Sequence, residues 1–305
     1  MEHRPLLFVA KYTRKGADPP LERIKNVAAL HDLASYGRCS LTCVIPVLSC
    51  MEVKVCPIPT AVLSTQTDGF ENFTFRDLTQ DVYPIFSHWS SLGISMDCIY
   101  SGFLGSFEQI SIVRSIFEHS PGALRVVDPV MGDDGALYAT MSDEMGYRMR
   151  ELCSMADVIT PNLTEASLLL GEDYASCPGD EAGLRAWLER LSLDGQRSVV
   201  LTGVSLHPGV TGAGCFDRET GRISFAMARQ EPARFSGTGD LFASVLLGSL
   251  LRGEGLADAS QRAADFVQHC VAYTLAVGTP LPEGVQFEPL LGELMGPAPS
   301  RTDVR

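Results

Sequence analysis

The chain has 305 residues, of which 45% are hydrophobic and 20% charged, a composition typical of a globular protein with a sizeable core. Its formal net charge of −13 argues against nucleic acid and membranes as partners, because nucleic acids and many membrane surfaces are themselves negative. No apolar run is long enough to cross a bilayer, and nine scattered cysteines without metal-ligand spacing indicate a reducing, cytoplasmic location.

Residues 1–25 are predicted to form a mobile extension. Their apolar stretch, Leu6–Ala10, is too short for a signal sequence, and Gly16 and two prolines follow it. From residue 26 to residue 295 no linker rich in proline, glycine or serine interrupts the pattern. We therefore expect a single domain there and a flexible tail at 296–305.

Short apolar strands then alternate with helical stretches. Strands are predicted at 26–31, 53–58, 96–101, 157–160 and 198–202 and within LRVVDPVMGDDG, with a hairpin at 212–217 and 222–228. Helices are predicted at 40–51, 76–92, 108–119, 144–155, 181–193, 257–277 and 287–294, and directly after residues 162 and 240. Ser40 is predicted to cap the first helix, and Pro46 to kink it. The alternation predicts an α/β fold, with a mostly parallel sheet covered by helices on both faces.

The most informative motif is Gly237-Thr238-Gly239-Asp240, which precedes a long apolar helical run. Three small residues allow backbone N–H groups to converge at the positive end of a helix dipole, which favours phosphate. Asp240, in the first turn, is placed to take a proton from an attacking hydroxyl. The alternative is that these residues only cap the helix.

Two other predicted strands also end in polar residues. Asp128 follows the first of them, and Thr160 and Asn162 follow the second, with Glu165 three residues further on. Such strand ends meet at one edge of a parallel sheet, and their oxygen atoms suit a Mg²⁺–nucleotide site. The alternatives are a strand-end turn at Asp128 and a first-turn acid at Glu165 that the helix dipole favours.

Several other polar residues are interpreted as structural. Asp133 and Asp134 lie between glycines and indicate a solvated turn. His31, His207 and His269 have no partner at a spacing that marks catalysis or metal binding.

Taken together, these motifs resemble those of the pyridoxal/pyridoxamine kinases of the ribokinase-like superfamily, over roughly residues 26–280. The motifs that carry the resemblance are Tyr36-Gly37, the STQTDGF loop, SGFLGS at 101–106, DPVMGD at 128–133, TPNLTE at 160–165 and SGTGD at 236–240. The resemblance implies a three-layer α/β/α sandwich, a homodimer, and transfer of the ATP γ-phosphoryl group to the 5′ hydroxymethyl of a vitamin B6 compound. ATP and Mg²⁺ are the implied cofactors, and a monovalent cation is a further one that the family allows.

The resemblance also implies a role for each site residue. Asp240 would be the base, and Gly237, Thr238 and Gly239 would form an anion hole. Asp128 and Glu165 would lie at the metal, with Glu165 acting through water. The nucleotide would contact the residues at three strand ends, which are Asp128, Thr160, Asn162 and Thr202. The pyridine ring and its substituents would contact Asp32, Ser64, Thr65 and Phe103.

The sequence departs from the family pattern at three of these positions. Asp32 stands where relatives often have serine, Phe103 where they often have tyrosine, and Thr202 where some have a basic residue. These departures bear on vitamer preference and ATP affinity.

Two other functions stay open. The first is a kinase of the same fold for another alcohol, such as hydroxymethylpyrimidine. That branch more often has a Gly-Gly-Ala-Gly loop and a cysteine at the position of Asp240, so Ser35–Arg38 and Asp240 favour the B6 branch. The second is an ATP-dependent dehydratase for hydrated nicotinamide nucleotides or a non-catalytic relative, but the base and the anion hole are intact and no wide basic surface is evident.

Overall fold

The computed structural model describes residues 23–138 and 142–296. The predicted extension at 1–25 and the predicted tail at 296–305 lie almost entirely outside these residues and stay predictions. No helix in the described part of the chain is long and apolar enough to span a bilayer.

Within the described residues, eight of the eleven strands fall where the sequence predicts them, and the short strands at 75–77, 132–133 and 136–137 were not predicted. In chain order they are β1 (Asn26–Ala34), β2 (Lys54–Leu63), β3 (Phe75–Asp77), β4 (Cys98–Ser101), β5 (Leu124–Val127), β6 (Gly132–Asp133), β7 (Ala136–Leu137), β8 (Val158–Ile159), β9 (Ser198–Val204), β10 (Val210–Asp217) and β11 (Arg222–Arg229). Within the described residues, nine of them form one sheet in the order β11-β10-β9-β8-β5-β4-β1-β2-β3, and β6 and β7 pair separately. The strands from β9 to β2 in this order are parallel, while β3, β10 and β11 pair antiparallel with their neighbours.

Helices cover both faces of the sheet. They are α1 (Ser40–Cys50), α2 (Thr79–Ser91), α3 (Phe107–Glu118), α4 (Asp143–Ser154), α5 (Leu163–Leu170), α6 (Glu181–Leu191), α7 (Thr238–Leu251) and α8 (Leu256–Val277). On one face α1 packs on α7 and α7 on α8, and on the other each helix from α2 to α6 packs on the next. This arrangement confirms the predicted three-layer α/β/α fold.

Helix α7 is buried along most of its length, with every side chain from Leu241 to Ser249 inside the protein. A helix that is apolar on all sides belongs in a core. The helix therefore enters the core directly after its first turn.

Two local predictions are wrong, and the predicted tail helix is present in another helical form. Residues 76–92 do not form one helix, because 75–77 pair with β2 as an exposed edge strand and Asp77 accepts a hydrogen bond from Thr79 N (2.6 Å) at the start of α2. The segment Glu288–Leu294 is a 3₁₀ helix. Cys39, rather than Ser40, is the N-cap of α1.

Candidate active site

The carboxyl ends of the parallel strands meet at one edge of the sheet, as the sequence predicts. Asp128 directly follows β5 and its N–H donates to Ser101 O (2.8 Å), while Thr160 follows β8 and donates to Val127 O (3.1 Å). Asp32 lies inside β1, where the pairing with β2 shifts register between His31 and Leu33. A register shift of this kind re-aims a side chain, and here it occurs at a buried carboxyl.

The glycine turn before α7 has the form of an anion site. Gly237 is the N-cap with φ 83°, and a Cβ there would lie 1.8 Å from Arg38 O, so glycine is required. Within 23–138 and 142–296 no side chain caps the helix, and the first N–H groups of any helix lack intrahelical partners. The Thr238 hydroxyl donates to Phe235 O (3.2 Å), and among the described residues no neighbouring atom would lie within 4 Å of a Cβ at Gly239. The backbone therefore presents free N–H groups at an accessible point.

Ser40 links the two carboxyl groups at this end of the sheet. Its N–H donates to Asp240 Oδ2 (2.9 Å) and its hydroxyl donates to Asp32 Oδ1 (2.5 Å). Its φ of 49° is in the left-handed region, which a non-glycine residue rarely adopts and which aims both groups at the acids. Sequence reasoning missed this role because the residue looked like an ordinary helix cap.

Burial sets the protonation of these two acids. The Asp240 side chain is 16% exposed, and its burial raises its pKa to about 7; the charge of Asp32 raises it further and the Ser40 N–H opposes the rise. Burial also raises the pKa of Asp32, against the hydrogen bond from Ser40. A carboxyl group that ionises near neutral pH is well matched to accept a proton in catalysis.

Glu165 is held by backbone N–H groups on both of its oxygens. Oε1 accepts from Met131 N (3.1 Å) and Oε2 from Asn162 N (2.8 Å), while Asn162 Oδ1 accepts from Glu165 N (2.9 Å). This reciprocal pair is the capping box of α5, and Asn162 Nδ2 also donates to Gly132 O (2.8 Å). Glu165 therefore has a structural role whatever else it does.

Asp128 and Glu165 form a buried acidic pair. Burial raises the pKa of both groups; the charge of Asp240 adds to the effect on Asp128, and the charge of Asp128 to that on Glu165. Among the described residues no lysine or arginine forms an ion pair with either of them. No group of three or more His, Cys, Asp and Glu side chains in 23–138 and 142–296 could hold a metal by itself.

The predicted nucleotide residues lie on neighbouring strands. An isolated parallel bridge sets Asn162 beside Thr202, whose N–H donates to Pro161 O (2.8 Å). Thr160 is buried next to Asp128, and its hydroxyl lowers the pKa of that carboxyl group, against the larger effect of burial. The topology thus brings Asp128, Thr160, Asn162 and Thr202 to one place.

The residues predicted to contact the pyridine ring are less closely grouped than those predicted to contact the nucleotide. Ser64 Oγ accepts from Thr74 N (2.8 Å), so its hydroxyl closes its own loop. The Thr65 hydroxyl is buried without a partner among the described residues, and the Phe103 carbonyl accepts from Thr60 (3.1 Å). Within the described chain no hydrogen bond joins Ser64, Thr65 or Phe103 to Asp32 or Asp240. Their role at the ring stays a prediction.

Two further residues tie the STQTDGF loop to the site, and sequence reasoning missed both. Gln66 Nε2 donates to Pro282 O (2.7 Å), and the Ser236 hydroxyl donates to Asp68 beside the glycine turn. These contacts join segments distant in sequence, so no local pattern marks them.

Comparisons with known proteins identify the family of the chain. The chain matches the phosphomethylpyrimidine kinase family over residues 45–282. It is 26% identical over 270 residues to a pyridoxal kinase of Rubrobacter xylanophilus, covering 83% of this chain and 89% of the relative.

Two solved structures are also similar. The pyridoxal kinase of Lactobacillus plantarum has a TM-score of 0.83 and 33% identity, covering 89% of this chain and 97% of that one. A Bacteroides thetaiotaomicron protein, crystallised with pyridoxal and regarded as a candidate phosphomethylpyrimidine kinase, has a TM-score of 0.84 and 41% identity, covering 89% and 96%. The chain therefore belongs to the phosphomethylpyrimidine kinase family, in the ribokinase-like branch that includes the pyridoxal kinases.

Proposed function

We propose that the protein is an ATP-dependent kinase that phosphorylates the 5′ hydroxymethyl group of pyridoxal, pyridoxamine or pyridoxine. The observation that carries this proposal is the Asp240 carboxyl, buried at the glycine-rich start of α7 with a pKa raised to about 7. The names of the Rubrobacter and Lactobacillus relatives, and the pyridoxal in the Bacteroides crystal, support the substrate class.

In the proposed reaction, the Asp240 side chain and the backbone at the start of α7 have separate roles. Asp240 takes the proton of the attacking hydroxyl, and the N–H groups of Thr238 and Gly239 hold the charge of the transferring phosphoryl group. Phosphoryl transfer passes through a loose transition state, so positioning and charge stabilisation supply most of the rate. The open space beside Gly239 allows the phosphoryl group to approach the backbone.

The nucleotide would lie along Asp128, Thr160, Asn162 and Thr202. The Asp128 carboxylate suits Mg²⁺, which binds oxygen ligands and keeps several waters, whereas the Asn162 amide already bonds to Glu165 N and Gly132 O. Asp128 would bind the metal, and Glu165 would act through water because both of its oxygens already accept N–H groups. Mg²⁺ supplies neutralising charge at the phosphate oxygens. The monovalent cation, the homodimer and the cytoplasmic location stay predictions.

Asp32 would contact the vitamer as a charged partner. Its carboxylate would bond to a protonated ring nitrogen or to the 4′ amine of pyridoxamine, with the Ser40 hydroxyl holding one carboxyl oxygen in place. The alternative role, in which Asp32 only orders the following loop, is consistent with the same hydrogen bond.

A second candidate function is phosphorylation of hydroxymethylpyrimidine or its phosphate. The family match and the Bacteroides relative favour it. The acid at position 240 favours the B6 substrates, since the pyrimidine branch more often has cysteine there.

The test incubates the purified protein with Mg²⁺–ATP and, separately, pyridoxal, pyridoxamine, pyridoxine, hydroxymethylpyrimidine and ribose, and measures phosphorylated product by mass spectrometry. The proposal expects the highest kcat/KM with a B6 vitamer. Preference for hydroxymethylpyrimidine supports the second candidate, and no product with any alcohol overturns both.

A further inference from the structure

His31 lies beside Asp240, the proposed base, and its two ring nitrogens have no hydrogen-bond partner among the described residues. These nitrogens are Nδ1 and Nε2, and the side chain that carries them is fully buried. Buried polar atoms in folded proteins are rarely left in this state, and each exception calls for a physical reason. The nearest charged group is Asp240, whose Oδ1 is 3.9 Å from Nδ1.

The surrounding residues fix the imidazole in this position. Tyr100 packs edge-on against it, with ring centroids 4.4 Å apart and planes at 69°. Gly102 lies against the Nδ1–Cε1 edge of the ring, where a Cβ would lie 2.2 Å from both atoms. Only glycine at position 102 leaves room for the ring, so the SGFLGS motif helps to form this site.

The Asp240 carboxyl group is held by a hydrogen bond at one of its oxygens and, within the described residues, not at the other. Ser40 N donates to Asp240 Oδ2, and in the described part of the chain no donor bonds Oδ1. A carboxylate held at one oxygen can still rotate, whereas a second donor would fix its plane. A change of about 1 Å would bring Nδ1 and Oδ1 to hydrogen-bond distance, about 2.9 Å.

The ring is suited to act as a neutral donor. Burial lowers the pKa of His31 to about 3, so the imidazole carries one proton near pH 7. On Nδ1 that proton faces the carboxylate, whereas on Nε2 it would leave two lone pairs facing each other.

We propose that His31 is a positioning residue for Asp240, which donates Nδ1–H to Oδ1 and holds the carboxylate towards the substrate hydroxyl. This inference rests on the proposed function, because it assigns His31 to the same phosphoryl transfer. It revises the interpretation of His31 as merely structural.

Other titratable groups surround the pair. These are Asp32, Asp128, Tyr100, Cys39 and Cys43, and burial raises the pKa of each. The thiols and the phenol therefore stay neutral near pH 7. The fall in rate on the acidic side of the pH profile, called the acidic limb below, therefore reports on the carboxyl groups.

The test compares wild type with His31→Leu and His31→Asn. Leucine keeps apolar volume without a donor, and the asparagine amide can place N–H near the position of Nδ1. We expect His31→Leu to lower kcat for pyridoxal about tenfold or more with little change in KM, and to move the acidic limb to higher pH. His31→Asn should restore much of kcat and of the original limb. A fall in kcat with an unmoved limb and no rescue by asparagine would assign the effect to packing and overturn the proposal.

Tyr100→Phe is the matched control for packing. It keeps the ring against His31 and removes a buried hydroxyl that has no partner among the described residues. Its kcat and pH profile should equal those of wild type, and a loss equal to that of His31→Leu would contradict the proposal.

A spectroscopic measurement separates this inference from the proposed function. In a ¹⁵N spectrum of the histidine rings, the signal that is lost in His31→Leu should show a neutral ring with the proton on Nδ1. A proton on Nε2, or a charged ring at pH 7, overturns the inference even if the enzyme phosphorylates pyridoxal. If wild type phosphorylates no vitamer, the proposed function fails and this signal still reports the state of His31.

Discussion

Asp240→Asn should remove most turnover and, at neutral pH, make the protein more stable. The amide keeps the shape of the side chain and can still accept a hydrogen bond from Ser40 N, but it cannot take a proton. General-base catalysis contributes roughly 10²–10⁴-fold, so we expect kcat to fall by that factor while substrate binding persists.

The gain in stability follows from the pKa of Asp240. Burial raises it from 3.8 to about 7, so between these pH values the folded state binds more protons than the unfolded chain, and stability falls as pH rises. The full effect corresponds to about 4 kcal/mol above pH 7, which asparagine would remove. The stability difference between variant and wild type should grow from near zero below pH 4 to a plateau above pH 7.

Two measurements test this reasoning, namely kcat with pyridoxal and urea unfolding of both proteins from pH 4 to pH 8. In wild type kcat/KM for pyridoxal, which reports the free enzyme, should fall on the acidic side with an apparent pKa near 7, leaving about one tenth of its plateau value at pH 6. Asp194→Asn is the matched control, since that exposed acid has a φ of 56°, which asparagine tolerates. More than a tenth of wild-type kcat in Asp240→Asn would refute its role as the base, and a pH-independent stability gain would refute the burial argument.

The other site residues give three further predictions. Glu165→Gln should raise the Mg²⁺ concentration needed for half-maximal rate and leave the KM for pyridoxal nearly unchanged, because an amide holds metal-bound water less strongly than a carboxylate; an unchanged Mg²⁺ titration would remove Glu165 from the metal site. Gly237→Ala should lower Tm sharply, because its Cβ would lie 1.8 Å from Arg38 O. Gly239→Ala should keep the wild-type Tm but raise the KM for ATP, because its Cβ would have no described neighbour within 4 Å. Equal Tm values for the two variants would contradict this prediction. Asp32→Ser should lower the pyridoxamine-to-pyridoxal ratio of kcat/KM by roughly ten- to a hundredfold, since a charge-assisted hydrogen bond is lost; a parallel loss for both substrates would point to the ring nitrogen instead.

The parts of the site that the sequence predicts are those with a local cause. The glycine turn before α7 is predictable because Gly237 and Asp240 lie three residues apart at a helix start. Asp128, Thr160 and Asn162 are predictable as a group because parallel strands end at one edge of the sheet. In both cases a short pattern and a general rule of chain geometry determine the placement.

The parts that the sequence does not predict depend on contacts between distant segments. Ser40 bonds to Asp240 across 200 residues of sequence, and its left-handed backbone has no signal in the pattern GRCS. Strand β3 could not be predicted, because an exposed edge strand of three residues shows no alternation of apolar and polar side chains. The sequence allows two interpretations of Glu165, as a first-turn acid of a helix and as a metal-site residue. The structure shows Glu165 in the capping box of α5, while its link to the metal stays a prediction.

The charge balance of the site explains why its acids and its ligands depend on one another. Asp32, Asp128, Glu165 and Asp240 are all at least partly buried with raised pKa values, and in the described residues no lysine or arginine pairs with them. The start of α7 offers partial positive charge, but in the proposed reaction it would face the phosphoryl group rather than the whole acidic cluster. A divalent cation beside Asp128 would favour the ionised form of that carboxyl group and reduce its repulsion of Glu165. Metal and nucleotide should therefore bind cooperatively and stabilise the fold, because the cation supplies positive charge that the described residues do not place there and also neutralises the phosphates of the nucleotide.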